Sequence, residues 1–327
     1  MPLLKCVRHC QSARVDVDLF YDVFGQESDP PLVLVAGLGA QMVSFHAVFC
    51  ACLAAAGPFR VIRFDNRDVG FSTKVTHLGC PSPLSTLLPA WLAPDPPYTL
   101  RDMALDVVAL LDALGIPRAH VLGMCLGASI AQWVGIVAPH RLLSLINLMG
   151  SSGPCEDDMP GMPLWIRWAF YTITPKSPSL EDVLDARVEL LCRVNFPKGG
   201  PPTEAARQFV RDHSRVALER TTYGGGAGRQ MAALFHSEPR EALMRVDPEA
   251  HHERPAAGFA CLPILILHGA ADRMCPFADH AVRMQQLWPH AWLHAIRDMG
   301  HFIEPRMFDE IALCVRAFSR HASIMAV

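Results

Sequence analysis

The stretch Ala119-His120-Val121-Leu122-Gly123-Met124-Cys125-Leu126-Gly127-Ala128-Ser129-Ile130-Ala131 decides how the rest of the chain is read. Ala119–Leu122 has the character of a short buried strand, and the residues from Leu126 onward read as an apolar helix. Between them, the spacing Gly123-x-Cys125-x-Gly127 fits a tight strand-to-helix elbow that lifts a nucleophile out of a sheet. The glycines serve a steric need, since side chains two residues either side of the nucleophile would collide with neighbouring backbone. A thiol at that turn sits at a helix N-terminus, whose partial positive charge favours the thiolate. From Val121 to Pro139 there is no charged residue over 19 positions, long enough for a membrane span. Three glycines, Ser129 and Gln132 interrupt it, and a strand followed by a fully buried helix gives the same hydropathy.

Outward from the elbow the chain alternates. Pro31–Val35, Arg60–Phe64, Leu143–Leu148, Leu262–Leu267 and Trp292–Ile296 read as further buried strands, rich in Val, Ile and Leu without strict alternation, as in a parallel sheet covered on both faces. Val15–Phe24 alternates polar and apolar residues, as an antiparallel edge strand does. Thr99 opens a helix with Asp102 three residues on, an imperfect capping box, and Gly115 stops it. This order predicts an α/β fold, a mostly parallel open sheet with right-handed crossovers. The alternation lapses between about Ser151 and Pro255, where helical patterns (Pro163–Thr174, Leu180–Val194, Thr203–Tyr223, Arg229–Met244) are joined by Pro- and Gly-rich links. Residues 151–255 are therefore expected to form a helical cap inserted into a core of residues 1–150 and 256–327.

Composition narrows the function. Of 327 residues, 51% are hydrophobic and 19% charged, which excludes global disorder. A net charge of -3, from 29 basic and 32 acidic residues, leaves no excess to neutralise phosphates, so nucleic acid is not the expected partner. Eleven cysteines without framework spacing read as reduced thiols of a cytoplasmic protein. No secretory signal is expected in the N-terminal residues.

Two more constellations complete a site. Ala36-Gly37-Leu38-Gly39 follows the first buried strand, so the backbone N–H groups of Leu38 and Leu126 are the expected oxyanion-hole donors. Asp272 lies on a loop after the Leu262–Leu267 strand, and His301 follows Gly300 after the last strand. The chain order nucleophile, acid, histidine fits Cys125, Asp272 and His301 as one unit, with Asp272 orienting His301 and His301 moving the proton. Asp298 is the rival acid. A dinucleotide loop at Gly37 is disfavoured by Met42 where a third glycine belongs, and no P-loop is present. His251-His252-Glu253 lacks metal-ligand spacing, so neither a metal nor a cofactor is expected. Gly224–Gly226 with Arg229 could hold an anion, but reads better as a hinge. His268 is expected to pack or hydrogen-bond. Trp165 and Trp168, in an aromatic-rich stretch, read either as helical packing or as the lining of an apolar acyl pocket.

These residues resemble the α/β-hydrolase superfamily over both halves of the sheet. Asp65-Asn66-Arg67-Asp68-Val69-Gly70-Phe71-Ser72 is similar to the D-N-R-D-x-G-x-S loop of a capped esterase branch that includes aclacinomycin methylesterases. In that branch the loop is structural, bracing the sheet beside the elbow. The departure is Cys125, where most of the branch has Ser. Dienelactone hydrolases and polyhydroxyalkanoate synthases resemble the Cys arrangement, though their other motifs match less well.

The resulting expectation is a hydrolase of ester or thioester bonds in a hydrophobic small molecule, acting through a thioacyl-enzyme on Cys125. Two rivals stay open: an acyltransferase or dienelactone-type lactone hydrolase with the same residues, and a binding protein on the same fold.

Overall fold

The computed structural model describes residues 3–6, 16–79, 95–153, 165–166, 169, 173, 175–196, 203–235, 259 and 261–325. Eight strands form one sheet: β1 (Leu3–Cys6), β2 (Val17–Phe24), β3 (Pro31–Val35), β4 (Arg60–Phe64), β5 (Ala119–Met124), β6 (Leu142–Leu148), β7 (Ile264–Gly269) and β8 (Trp292–Ile296). Their spatial order is β1-β2-β4-β3-β5-β6-β7-β8. β1 and β2 run antiparallel to their neighbours and all pairs from β4 to β8 are parallel. Because β3 lies between β4 and β5, the chain reverses direction of sheet growth there. The carboxyl ends of β3 and β5 are thus side by side, where such sheets open a crevice for ligands.

Strand residues of opposite parity feed two cores, as a pleat with period two requires. Val33, Val35, Val121, Leu145, Ile264 and Ile266 point to one face. There they meet α2 (Leu100–Ala113), α3 (Leu126–Val137) and α7 (Phe277–Leu287). Leu32, Leu34, Leu122, Ile146, Leu148, Leu265 and Leu267 point to the other, against α1 (Ala47–Ala56) and α8 (Phe308–Met325). Each fully buried side chain of this size contributes roughly 1.5–3 kcal/mol. The apolar run after Cys125 is α3, buried on nearly all sides, and no helix among the described residues is long and apolar enough to cross a membrane.

The Thr99 capping box is complete: Asp102 N–H donates to the Thr99 hydroxyl oxygen at 3.2 Å, and Thr99 N–H donates to Asp102 Oδ2 at 2.8 Å. Gly115 follows with φ of 64°, the left-handed stop a glycine tolerates.

Three expectations need correction. β2 is an interior strand, because β1 pairs on its outer side. β8 is the exposed edge instead, and Trp292 on it is 42% accessible, with its ring packed against Phe318 and His321 of α8. The glycine triplet is not a hinge, since Gly225 and Gly226 begin a helix.

Between β6 and β7 the described residues form α4 (Leu180–Asn195), α5 (Glu204–Arg220) and α6 (Gly225–Phe235). Ser179 and Thr203 cap the first two through their side-chain oxygens. Most of the expected Pro163–Thr174 helix, Trp168 and His251-His252-Glu253 lie outside the described residues.

Candidate active site

The elbow is a backbone event before it is a chemical one. Cys125 has φ of 55° and ψ of -117°, a strained conformation costing on the order of 1–3 kcal/mol. Two bonds fix it: Cys125 N–H donates to the Leu148 carbonyl at 3.0 Å, and Ala128 N–H to the Cys125 carbonyl at 3.0 Å. A Cβ on Gly123 would meet the Gly127 carbonyl, and one on Gly127 would meet the Val35 carbonyl, so neither position admits a side chain. Gly37 lies against the nucleophile; a Cβ there would stand 3.3 Å from Cys125 Cβ and 3.9 Å from its Sγ.

Two loops bring the acid and the imidazole together. Asp272 Oδ1 accepts the N–H groups of Met274 at 2.8 Å and Cys275 at 2.9 Å, and Oδ2 accepts from His301 Nδ1 at 2.7 Å. The loops are joined to each other, with Ala270 N–H on the Ile296 carbonyl and Ala271 N–H on the Met299 carbonyl, both at 3.0 Å. His301 N–H donates to the Asn195 carbonyl at the end of α4, at 2.7 Å. Gly300 permits that approach, because a Cβ there would strike the same carbonyl oxygen. His301 Nε2 is buried and makes no conventional hydrogen bond among the described residues.

The charges follow the geometry. Burial pushes the Cys125 thiol up, but the His301 imidazolium and the Leu126 N–H outweigh it and hold the thiol below its ordinary range. Burial works against a charged His301 as well, and the carboxylate of Asp272 together with Cys125 raises it well above the usual histidine value. Asp272 is pulled below the carboxylate range, burial being overcome by His301. Cys275 shows the opposite balance: burial, Asp272 and Cys125 all push its thiol well up. Asp298 is exposed, and Arg306 holds its backbone carbonyl, so it does not compete for the imidazole. His268, as expected, hydrogen-bonds: its Nε2 faces the Cys275 carbonyl at 2.7 Å and lies 3.5 Å from Asp272 Oδ2.

The Asp65–Ser72 loop does more than brace the sheet. Asn66 Nδ2 donates to the Ala36 carbonyl at 3.0 Å, steadying the turn that carries Leu38. Arg67 grips Asp106 of α2 through both carboxylate oxygens, at 2.7 and 2.8 Å. Asp65 accepts Arg220 of α5 at 2.8 and 3.2 Å, and Asp68 accepts Arg229 of α6 at 2.8 Å on each oxygen. Gln230, next on α6, accepts from Gly39 N–H at 2.8 Å and donates to the Arg67 carbonyl at 2.9 Å. Arg229 is therefore committed to Asp68 rather than open to an anion. Arg220, Gln230 and Asn195 were invisible to sequence reasoning, and Arg229 was noticed without its partner, since each acts on a group more than 100 residues away.

Cys125, Asp272 and His301 come together; Leu38 lies on the turn that follows β3, and Leu126, next to Cys125, opens α3. Trp165 packs against the cluster of Ile166, Ala169 and Val194, as Leu190 and Met274 do, and its ring lies under the Arg273 guanidinium at 4.2 Å.

Residues 30–303 match the family described as alpha/beta hydrolase fold. The chain is 27% identical over 324 residues to the rhodomycin D methylesterase DnrP of Streptomyces peucetius, covering 94% of this chain and 97% of that one. It is 29% identical over 266 residues to 3-oxoadipate enol-lactonase 2 of Acinetobacter baylyi, covering 81% and 79% respectively. Among solved structures, an esterase from Exiguobacterium antarcticum superposes with a TM-score of 0.66 at 17% identity, over 97% of this chain and 99% of that one. That likeness concerns the fold.

Proposed function

The chain belongs to the alpha/beta hydrolase fold family, and on that premise we propose that it cleaves the ester bond of a hydrophobic small molecule through a thioacyl-enzyme on Cys125. Relatives matching most of its length are named methylesterase and enol-lactonase, in keeping with an esterase-type hydrolase. The observation that carries the finer reading is the state of His301. Its Nδ1 is held by Asp272 at 2.7 Å, and its Nε2 has no conventional partner and interacts with Cys125.

The thiolate of Cys125 attacks the ester carbonyl carbon, forming the S–C bond as the π electrons move to oxygen. Leu38 and Leu126 N–H groups receive that oxyanion. Collapse of the adduct expels the alkoxide, which takes the proton from His301 Nε2. His301 then removes a proton from water, which attacks the thioester; collapse releases the carboxylic acid and restores the thiolate–imidazolium pair. Asp272 stays ionised and fixes the ring's tautomer.

Residues 151–255 serve as a cap on a core of 1–150 and 256–327. Support comes from α4, whose Asn195 carbonyl holds the His301 loop, and from α5 and α6, whose arginines dock on Asp65 and Asp68. Trp165, which like Met274 just past Asp272 packs against the cluster of Ile166 and Val194, contributes to the wall of the acyl pocket; the same role expected of Trp168 falls outside the described residues.

Intact-protein mass spectrometry with a panel of activated esters tests the mechanism. The expected result is a transient acyl adduct that peptide mapping assigns to Cys125 and that is absent from Cys125→Ala. Undiminished turnover by Cys125→Ala would overturn it.

A further inference from the structure

α4 and α5 form an antiparallel hairpin whose outer edge carries a ladder of ion pairs. Glu181 meets Arg211 and Arg215, Asp185 meets Arg211, and Glu189 meets Arg207. Arg187, on the same helix, takes no part in it. Among the described residues Arg187 has neither an ion pair nor a hydrogen bond, and its Nε is sealed from solvent without a partner. The side chain as a whole keeps partial exposure, so the rest of the guanidinium borders accessible space. Burial holds Arg187 below the ordinary arginine range and no carboxylate offsets it. Arg211, Arg215 and Arg229, hydrogen-bonded to Asp185, Glu181 and Asp68 respectively, are all raised.

The direction in which Arg187 faces gives this cation its meaning. It shares a helix face with Leu190, Leu191, Val194 and Asn195, at spacings of three, four, seven and eight residues. That face looks toward the reacting groups. Leu190 and Met274 of the acid loop both pack against the cluster that contains Val194, and Leu191 and Phe302 both pack against the cluster of Val188 and Phe196. The backbone carbonyl of Asn195, at the end of this helix, accepts the His301 N–H at 2.7 Å. His213 of α5 lies within the field of Arg187, and its ring packs on Phe302, the residue after His301, with centroids 6.1 Å apart. His213 itself is neutral at pH 7, its pKa lowered to about 4 by burial first and then by Arg187, His46 and Arg63. Arg63 is neutralised by Asp22 at 2.7 Å. One uncompensated cation thus remains in an aromatic setting behind the His301 loop.

Burying a guanidinium without an anion is costly, and a bidentate carboxylate is the partner its planar fork matches best. We propose that Arg187 receives a carboxylate carried by the substrate at the end remote from its ester, so that the preferred substrates are half-esters or lactones of a second carboxylic acid. This inference rests on the esterase reading above and names its substrate class. The eight residue steps from Arg187 to Asn195 span about 12 Å of helix, which sets the scale between the carboxylate and the scissile carbonyl. Phe302, Phe209 and His213 supply aromatic surface for the carbon chain in between.

The test is calorimetric binding to the Cys125→Ala protein, using monomethyl esters of linear dicarboxylic acids of increasing length and their dimethyl counterparts. The half-ester of best length is expected to bind at least tenfold more tightly than its diester. Arg187→Met should bring the two within about twofold of each other, and Arg187→Lys should fall in between. Arg187→Met should also raise Tm, because it removes an uncompensated buried charge. A lowered Tm would mean that Arg187 serves a structural ion pair and overturns the proposal. So does equal binding of half-ester and diester, a preference that survives Arg187→Met, or no binding of any half-ester. These readouts need no nucleophile, so a failed thioacyl mechanism leaves them intact, and a failed carboxylate site leaves adduct formation with activated esters intact.

Discussion

Replacing Arg229 by Met is the perturbation that best joins the architecture of this protein to its chemistry. The Arg229 and Asp68 side chains are 2% and 0% exposed, and two 2.8 Å bonds join them. Arg229 also donates to the Gly79 carbonyl at 2.8 Å and to the Tyr223 hydroxyl. With methionine there, Asp68 keeps the Val75 N–H at 2.9 Å and little else to balance a sealed charge. Breaking one side of such a pair costs about 3–5 kcal/mol. For a chain of this size that is a fall in Tm of roughly 4–7 °C. Adding Asp68→Asn removes the orphaned charge, and asparagine tolerates the φ of 72° at that position. The double variant should therefore be more stable than Arg229→Met alone, with a coupling of at least ~2 kcal/mol in the double-mutant cycle. Activity should fall as well, because the neighbouring Gln230 holds Gly39 N–H and with it the turn bearing Leu38. Urea unfolding followed by tryptophan fluorescence measures the first effect, and kcat/KM on one activated ester the second. A loss below ~1 kcal/mol for Arg229→Met, or strict additivity in the cycle, would refute the reasoning.

Iodoacetamide at pH ~6.5 should alkylate Cys125 before Cys275 or Cys50, whose thiols are pushed up, the latter to about 12 by burial, and His301→Ala should move Cys125 labelling to alkaline pH; peptide mapping that finds Cys125 no faster than Cys275 contradicts the activated thiolate. Activity should span a window that opens below the ordinary thiol range, where Cys125 protonates, and closes above the ordinary histidine value, where His301 loses its proton; a pH–rate profile showing an alkaline limb at or below pH ~6.5 would count against the pair. His301→Ala and Cys125→Ala should each abolish most activity and the double variant should lose little more, whereas full additivity argues for independent roles. Because the folded pKa of Asp272 is depressed, its stabilisation is present above the unfolded value of ~3.9 and is lost as pH falls through the folded one; Asp272→Asn should flatten that acid limb in urea midpoints taken against pH.

Local features carried their own reading. The spacing of Gly123, Cys125 and Gly127, the Thr99 box and the loop positions of Asp272 and His301 are each decided within a few residues, by sterics or by a hydrogen bond of short reach. Asp272 was preferred to Asp298 by its place on the loop of the preceding strand, and in space the two differ, one carboxylate buried beside His301 and the other exposed. The Asp65–Ser72 loop could be recognised but not understood, because Arg220 and Arg229 enter 155 and 161 residues later. The glycine triplet misled for a related reason. The helix begins at Gly225, and Gly226 is glycine because a Cβ there would strike the Asp68 carbonyl, a contact with no local signature. Likewise, Trp292–Ile296 has the composition of a buried strand, and only its place at the end of the sheet exposes it.

The loop at Asp65–Asp68 also has a meaning for how the protein can be altered. It presents two buried carboxylates, and what enters them is a pair of arginines nine residues apart on successive helices, Arg220 and Arg229. The core thus behaves as a socket and the α5–α6 segment as its plug, keyed by charge. A foreign helical segment grafted in its place would seat only if it carried two cations at the same separation, whatever the rest of its sequence. Pocket-facing residues on such a plug are then free to vary while the key is kept, so specificity can be exchanged as a cassette without disturbing the elbow.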